Sequence, residues 1–169
     1  RYEILLTIYC RNDKKSLGER FWTSVMKHYH IAFVGMGSIG KRHLKNVCQL
    51  IASQGDICYI DLYRSSMTRE LSEDVKELVV NQYLCSQDVQ REYDMVFITN
   101  PTSLHLETAV KFRPFTKAFF IEKPVFDTSD VEESTITLLD GIPSYVACPL
   151  RYNPVLQYVK QHVDLAKVI

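Results

Sequence analysis

The sequence has no surplus of charge of either sign: 20 Lys and Arg stand against 20 Asp and Glu in 169 residues. A general binder of nucleic acid or of an anionic membrane is excluded, because such ligands are held by an excess of cations. Long apolar runs are missing as well. None approaches the roughly 18 residues of a membrane span, and no charged-then-apolar leader opens the chain, so the expected compartment is the cytoplasm. Cysteine is present but unpatterned. Cys10, Cys48, Cys58, Cys85 and Cys148 are odd in number and form no C-x-x-C pair, which reads as reduced thiols without a disulfide framework or zinc cage. His28 and His30 have no nearby Cys, Asp or Glu to complete a metal site and read as the polar lead-in to a strand. No metal is expected. With 46% hydrophobic and 24% charged residues the composition is that of a globular protein, long enough for one core and too short for a second full domain.

What is present alternates. Residues 1–25 differ from the rest and read as an unassigned N-terminal extension. Ile31–Val34 is a short apolar run ending at Gly35, followed by a stretch that sets Ile39, Leu44, Val47, Cys48 and Ile51 on about one face, as a helix would. "ICYIDLY" (Ile57–Tyr63) reads as the next strand, and "TRELSEDVKELVV" (68–80) as a polar helix. "DMVFIT" (Asp94–Thr99) is a further strand closed by Asn100-Pro101, with Thr102 or Ser103 placed to cap a helix carrying Leu104, Leu106, Ala109, Val110 and Phe112. Strand "AFFIE" (Ala118–Glu122), helix "SDVEESTITLL" (129–139), strand "SYVACP" (Ser144–Pro149) and an amphipathic segment after Pro154 complete the pattern. Strands rich in β-branched residues alternating with helices predict an α/β fold, a mostly parallel sheet covered on both faces.

Gly35-Met36-Gly37-Ser38-Ile39-Gly40 is a G-x-G-x-x-G between a predicted strand and a predicted helix. The first glycine permits the turn, the second lets backbone approach a pyrophosphate, and the third lets helix pack on strand. The N–H groups of the helix start, Ser38 and Ile39 included, then face the phosphates. Lys41 and Arg42 either add charge there or are ordinary solvated helix residues. The adenosine ribose is read at the tip of the second strand. Asp61 has the separation from the loop that suits NAD, while Arg64 followed by Ser65 and Ser66 suits the 2′-phosphate of NADP. Because the strand continues past Asp61, NADP is favoured over NAD and Asp61 is the alternative reader.

With "FITNPTSLH" (Phe97–His105), "FIEKP" (Phe120–Pro124) and "ACPLRYNP" (Ala147–Pro154), the glycine loop resembles the glucose–fructose oxidoreductase, inositol dehydrogenase and rhizopine-catabolism (Gfo/Idh/MocA) family, from Lys27 to about Ile169. The resemblance implies a Rossmann-type doubly wound sheet over 26–150, with 151–169 as a linking helix and only the start of a C-terminal α+β substrate domain. It implies that Asn100 and Pro101 lie along the cofactor with Thr102 and His105 nearby. Lys123 then reaches the nicotinamide ribose and the substrate hydroxyl as the catalytic residue. Glu122 orients Lys123 or merely ends the strand, and Arg151, with Tyr152 and Asn153, lines the cleft. The implied substrate is a small sugar, nucleotide-sugar or cyclitol, with surface-polysaccharide synthesis as a setting, and the implied full-length form is a homo-oligomer. The catalytic His and Asp of the family's second domain have no counterpart among the five histidines.

Two functions follow from different classes. One is the cofactor-binding portion of an NAD(P)-dependent sugar oxidoreductase with little turnover by itself. The other is a catalytically inactive nucleotide-binding or regulatory module. The lysine of E-K-P favours the first.

Overall fold

Alternation along β1 (His28–Val34) decides the layering of the molecule. Ile31 and Phe33 join Leu44, Val47 and Ile51 of α1 (Ser38–Ser53) in one buried cluster, while Ala32 and Val34 join Ala109 and Phe112 of α3 (His105–Phe112) in another. Side chains of a strand point to opposite faces in turn, so a strand apolar at every position must be covered on both. The computed structural model describes residues 25–162, apart from 129, 138 and 139. The predicted extension, except Val25, and the segment beyond His162 lie outside the described residues.

The sheet has six strands in the order β3-β2-β1-β4-β5-β6, formed by β2 (Ile57–Arg64), β3 (Val79–Leu84), β4 (Met95–Ile98), β5 (Phe119–Ile121) and β6 (Ser144–Val146) with β1. Every pairing is parallel. This is the Rossmann-type doubly wound sheet that the family resemblance implied, with β3 added at one edge. The chain moves outward from β1 in one direction and then in the other, which leaves a crevice beyond the carboxyl ends of β1 and β4. On the α1 face, Phe33, Phe97, Phe120 and Tyr145 occupy neighbouring strands in one register, with ring centroids 4.5, 4.8 and 5.4 Å apart in succession. Stacked rings at such spacings add to the stabilisation from burial.

The structure corrects several boundaries. The helix predicted over 68–80 is a single turn, α2 (Glu73–Lys76), tied to α1 by an ion pair between Asp74 and Lys45 that holds the Asp74 carboxyl at about 2. Val79 and Val80, assigned to that helix, instead begin edge strand β3, which pairs in parallel with β2 along one side. β1 begins at His28, and both histidines belong to the strand, stacked on Tyr59 at 5.8 and 5.1 Å. Neither Thr102 nor Ser103 caps a helix through its side chain. Residues Thr102–Leu104 form a 3-10 turn before α3, and Asn100 Nδ2 donates to Thr108 Oγ1 at 2.8 Å across that turn. The helix predicted over 129–139 is described as α4 (Glu133–Thr137). After β6, Pro154 opens α5 (Pro154–His162), and Asn153 Oδ1 accepts from the N–H groups of Val155 and Leu156 at 2.9 and 3.2 Å. That is an N-cap followed by proline in the first turn.

Candidate dinucleotide and hydroxyl-chemistry site

The three loop glycines are distinguished by what surrounds them. Gly35 has φ +91°, and a Cβ there would lie 2.6 Å from the backbone N and Cα of Asn100. Gly40 faces Thr99, whose Oγ1 would be 2.8 Å from an added Cβ and which itself donates to the Gly35 carbonyl at 2.9 Å. These two glycines press the loop and α1 against the end of β4. Around Gly37 there is no atom within 4 Å of an added Cβ, so packing inside the chain does not require its bareness and the space is open to a ligand. The first turn of α1 carries no acidic residue, and no side chain caps it. Its leading N–H groups therefore remain available to an anion.

Gly35 and Gly37 border a cleft of about 580 Å³ at the crevice between β1 and β4, lined also by Arg64, Ser65, Ser66, Arg69, Asn100, Pro101 and Lys111. Arg64 ends β2, where Nη1 donates to Gln82 Oε1 at 2.9 Å and Nη2 to the Arg69 carbonyl. Sequence reasoning missed Arg69 and Lys111. Lys111 lies seven residues after Leu104 with Glu107 and Thr108 between, a helical spacing that marks one face of α3 and was a usable signal. Its Nζ donates to the carbonyls of Cys85 and Gln87, each at 2.6 Å, and so holds the exit of β3 against the cleft.

Asp61, the alternative ribose reader, is buried at 2% exposure. It accepts from Asn81 Nδ2 at 2.8 Å and Tyr93 OH at 3.0 Å, with Arg91 Nε at 3.3 Å. Burial pushes the Tyr93 hydroxyl well above its ordinary range, so the phenol stays a donor. Asp61 is a structural acceptor inside the sheet, three residues short of the strand tip. Asp61→Asn sets an amide against these donors and is expected to cost about 2–3 kcal/mol. Thermal unfolding should show that loss while the NADPH-to-NADH affinity ratio stays unchanged; a changed ratio would restore Asp61 as reader.

The Asn-Pro turn and the E-K-P segment are joined through His105. Its ring is buried, with Nε2 2.9 Å from the Asn100 carbonyl and Nδ1 3.0 and 3.2 Å from those of Pro124 and Val125. His105 thus acts on the site by fixing two backbone segments. Asn100 Oδ1 is buried and has no hydrogen-bond partner among the described residues, at the wall of the same cleft. Thr102 is half-buried and Pro101 exposed. Lys123 follows β5, with its side chain exposed and its N–H donating to Glu122 Oε2 at 3.2 Å. The Lys123–Pro124 peptide is cis. Glu122 Oε1 pairs with His43 Nε2 of α1, so the helix that opens on the phosphate loop also holds the residue before Lys123. Read from the sequence, His43 is a helix-face residue making a structural hydrogen bond, and its pair with Glu122 is such a bond.

Ile39 and Glu122 open on a second hollow of about 160 Å³ on the α1 face, lined also by His43, Phe120, Tyr145 and Tyr152. Tyr145 OH donates to Tyr152 OH at 2.7 Å, and the exposed Arg151 lies 5.4 Å over the Tyr145 ring. The Arg-Tyr-Asn-Pro segment is divided between this hollow and the cap of α5. Among the described residues no group of three His, Cys, Asp or Glu is placed to hold a metal, and no helix is long and apolar enough to cross a membrane.

An open space above Gly37, an uncapped helix start and an unsatisfied amide oxygen fit a pyrophosphate-linked dinucleotide. Residues 29–139 match the model of the Gfo/Idh/MocA oxidoreductase family, NAD-binding Rossmann fold. The chain belongs to this family. Its cofactor class is the family's NAD(P), as the loop predicted. Scyllo-inositol 2-dehydrogenase (NAD(+)) of Bacillus subtilis is 26% identical over 149 residues, 81% of this chain and 40% of the relative. The structure of scyllo-inositol dehydrogenase from Lactobacillus casei with bound NAD(H) and scyllo-inositol is similar at a TM-score of 0.66, with 25% identity over 83% of this chain and 42% of that one. The WlbA dehydrogenase of Bordetella pertussis, solved with NADH and UDP-GlcNAcA, shares the fold at a TM-score of 0.62, with 20% identity over 81% and 41%. The chain therefore spans about two fifths of the relatives it matches.

Proposed function

We propose that this chain is the cofactor-binding portion of an NADP-preferring oxidoreductase acting on a hydroxyl or keto carbon of a sugar, nucleotide-sugar or cyclitol. What supports the cofactor choice is that Arg64, at the end of β2, and Arg69 line the cleft together with Ser65 and Ser66. A 2′-phosphate brings two negative charges that such a group can hold through charge-assisted bonds. Asp61, which would repel it, is turned into the sheet and already occupied.

Gly37 and the start of α1 receive the pyrophosphate, and Asn100 and Pro101 line the way towards nicotinamide. When bound, nicotinamide takes or gives a hydride. Lys123 supports the proton side of the reaction: in the oxidation direction its amine takes the hydroxyl proton as hydride leaves the same carbon. Glu122, anchored by His43, fixes the backbone from which Lys123 extends. The second domain of relatives would supply the substrate-reading groups, and with them the homo-oligomer expected of a full-length form.

Titration by nicotinamide fluorescence tests the cofactor choice. NADPH should bind more tightly than NADH, and Arg64→Ala should weaken NADPH about tenfold, the worth of one charge-assisted hydrogen bond, with NADH nearly unaffected. Equal loss for both cofactors would assign Arg64 to the fold. In a protein joining this chain to a substrate domain, Lys123→Ala should cut hydride transfer by about 10²–10⁴ and leave cofactor affinity within a few-fold. Matching losses in rate and affinity would make Lys123 a binding residue and not a proton acceptor.

A further inference from the structure

Away from the cleft, α1 and β2 each present a thiol to the other. Cys48 lies in the third turn of α1 and Cys58 is the second residue of β2, with their sulfurs 3.7 Å apart. Both side chains are half-buried, close enough to the surface for a small oxidant to arrive. The intervening chain turns at Gly55, which has φ +77°. We propose that Cys48 and Cys58 form a site of reversible oxidative modification, closing to an intramolecular disulfide when a hydroperoxide is the oxidant.

A disulfide needs its sulfurs about 2.05 Å apart. The remaining approach is short enough for side-chain rotation and small adjustments on elements joined by a turn. The pair also divides the chemistry. The hydrogen bond between the thiols lowers Cys58 below the ordinary thiol range and, with burial, raises Cys48 above it. Cys58 is then the first to ionise, with Cys48 S–H donating to its thiolate. With hydrogen peroxide, the Cys58 thiolate attacks one peroxide oxygen, the O–O bond breaks, and with one proton gained a water leaves (an alcohol from an organic hydroperoxide), giving a sulfenic acid. Cys48 sulfur attacks that sulfur, the S–O bond breaks, and the oxygen departs as a second water carrying the Cys48 proton. Two thiols lose two hydrogens and two electrons, and one hydroperoxide is reduced. Cys85 is also half-buried, but burial raises its thiol and no thiol among the described residues hydrogen-bonds with it. It serves as the internal reference.

The test uses the intact chain, hydrogen peroxide and an alkylating quench. Trypsin releases both cysteines on a single peptide, Asn46–Arg64, because no Lys or Arg lies between Lys45 and Arg64. After peroxide this peptide should escape alkylation and be lighter by about 2 Da than the reduced form. A cut before Asp56 should leave its halves joined until dithiothreitol is added. In Cys48→Ser the Cys58 sulfenic acid should persist and be trapped by dimedone, at a level well above that in the wild type. Without oxidant, Cys58 should alkylate at neutral pH about tenfold faster than Cys85. Recovery of the peptide doubly alkylated, over-oxidised at Cys58, or linked between molecules would overturn the proposal. So would equal dimedone labelling of wild type and Cys48→Ser.

Discussion

Gly35→Ala is expected to lower the thermal unfolding midpoint by roughly 6–12 °C, the shift that a loss of about 3 kcal/mol produces in a chain of this size. Two independent costs contribute. At φ +91° an alanine sits in a region that L side chains rarely adopt. Its Cβ would also come within 2.6 Å of Asn100 N and Cα and 2.9 Å of Thr99 C, all backbone atoms that cannot rotate away. Relief requires the end of β1 to part from the end of β4, and the Thr99 bonds to the carbonyls of Val34 and Gly35, at 3.2 and 2.9 Å, lie in that seam. Far-UV circular dichroism during heating reads the result. A midpoint within 2 °C or so of wild type would mean that the loop opens without resistance.

Gly37→Val should do the reverse. The glycine has φ −73° and ψ −172°, an extended conformation that valine adopts readily, and an added Cβ meets nothing within 4 Å. The midpoint should fall by no more than roughly 4 °C, the shift from a loss of about 1 kcal/mol, because valine is a poorer N-cap than glycine. Dinucleotide affinity should nonetheless fall by about a hundredfold, or nearly 3 kcal/mol, because the branched side chain fills the space in which backbone meets pyrophosphate. The two variants thus separate a glycine required by the fold from a glycine required by the ligand. Undiminished binding of NADPH and NADH by folded Gly37→Val would remove the loop from the cofactor site.

The parts of the molecule legible in the sequence were those with local causes. The glycine loop announced itself because its residue types and its position between strand and helix agree, β4 and β5 were marked by continuous apolar runs, and β2 by one broken at Asp61. β3 was hidden because its valines follow Glu73-Asp74-Val75-Lys76-Glu77-Leu78, whose helical propensity extended the pattern past the true switch. Edge strand β3 is nowhere more than half-buried and acquires its backbone partners from β2, which no local window contains. The burial of Asp61 became evident only with Asn81, Arg91 and Tyr93 around it. His43 and Glu122 are 79 residues apart, and only the folded sheet brings them together.

The pairing of β1 with β4 places Ile31 beside Met95, across a stretch of chain that includes β2 and β3. The crevice therefore exists only after a distant closure, which loop entropy makes slow relative to local contacts. On the proposed site, a dinucleotide seated there would touch groups from both halves, Gly37 and Arg64 on one side and Asn100 on the other, all of which line the cleft. It acts as a removable crosslink between segments the chain itself joins late. A ligand that binds only the closed arrangement would shift the balance between open and closed seams towards the closed one. The fraction of time the seam spends open to a protease, and not the midpoint alone, is then set by how much cofactor is at hand.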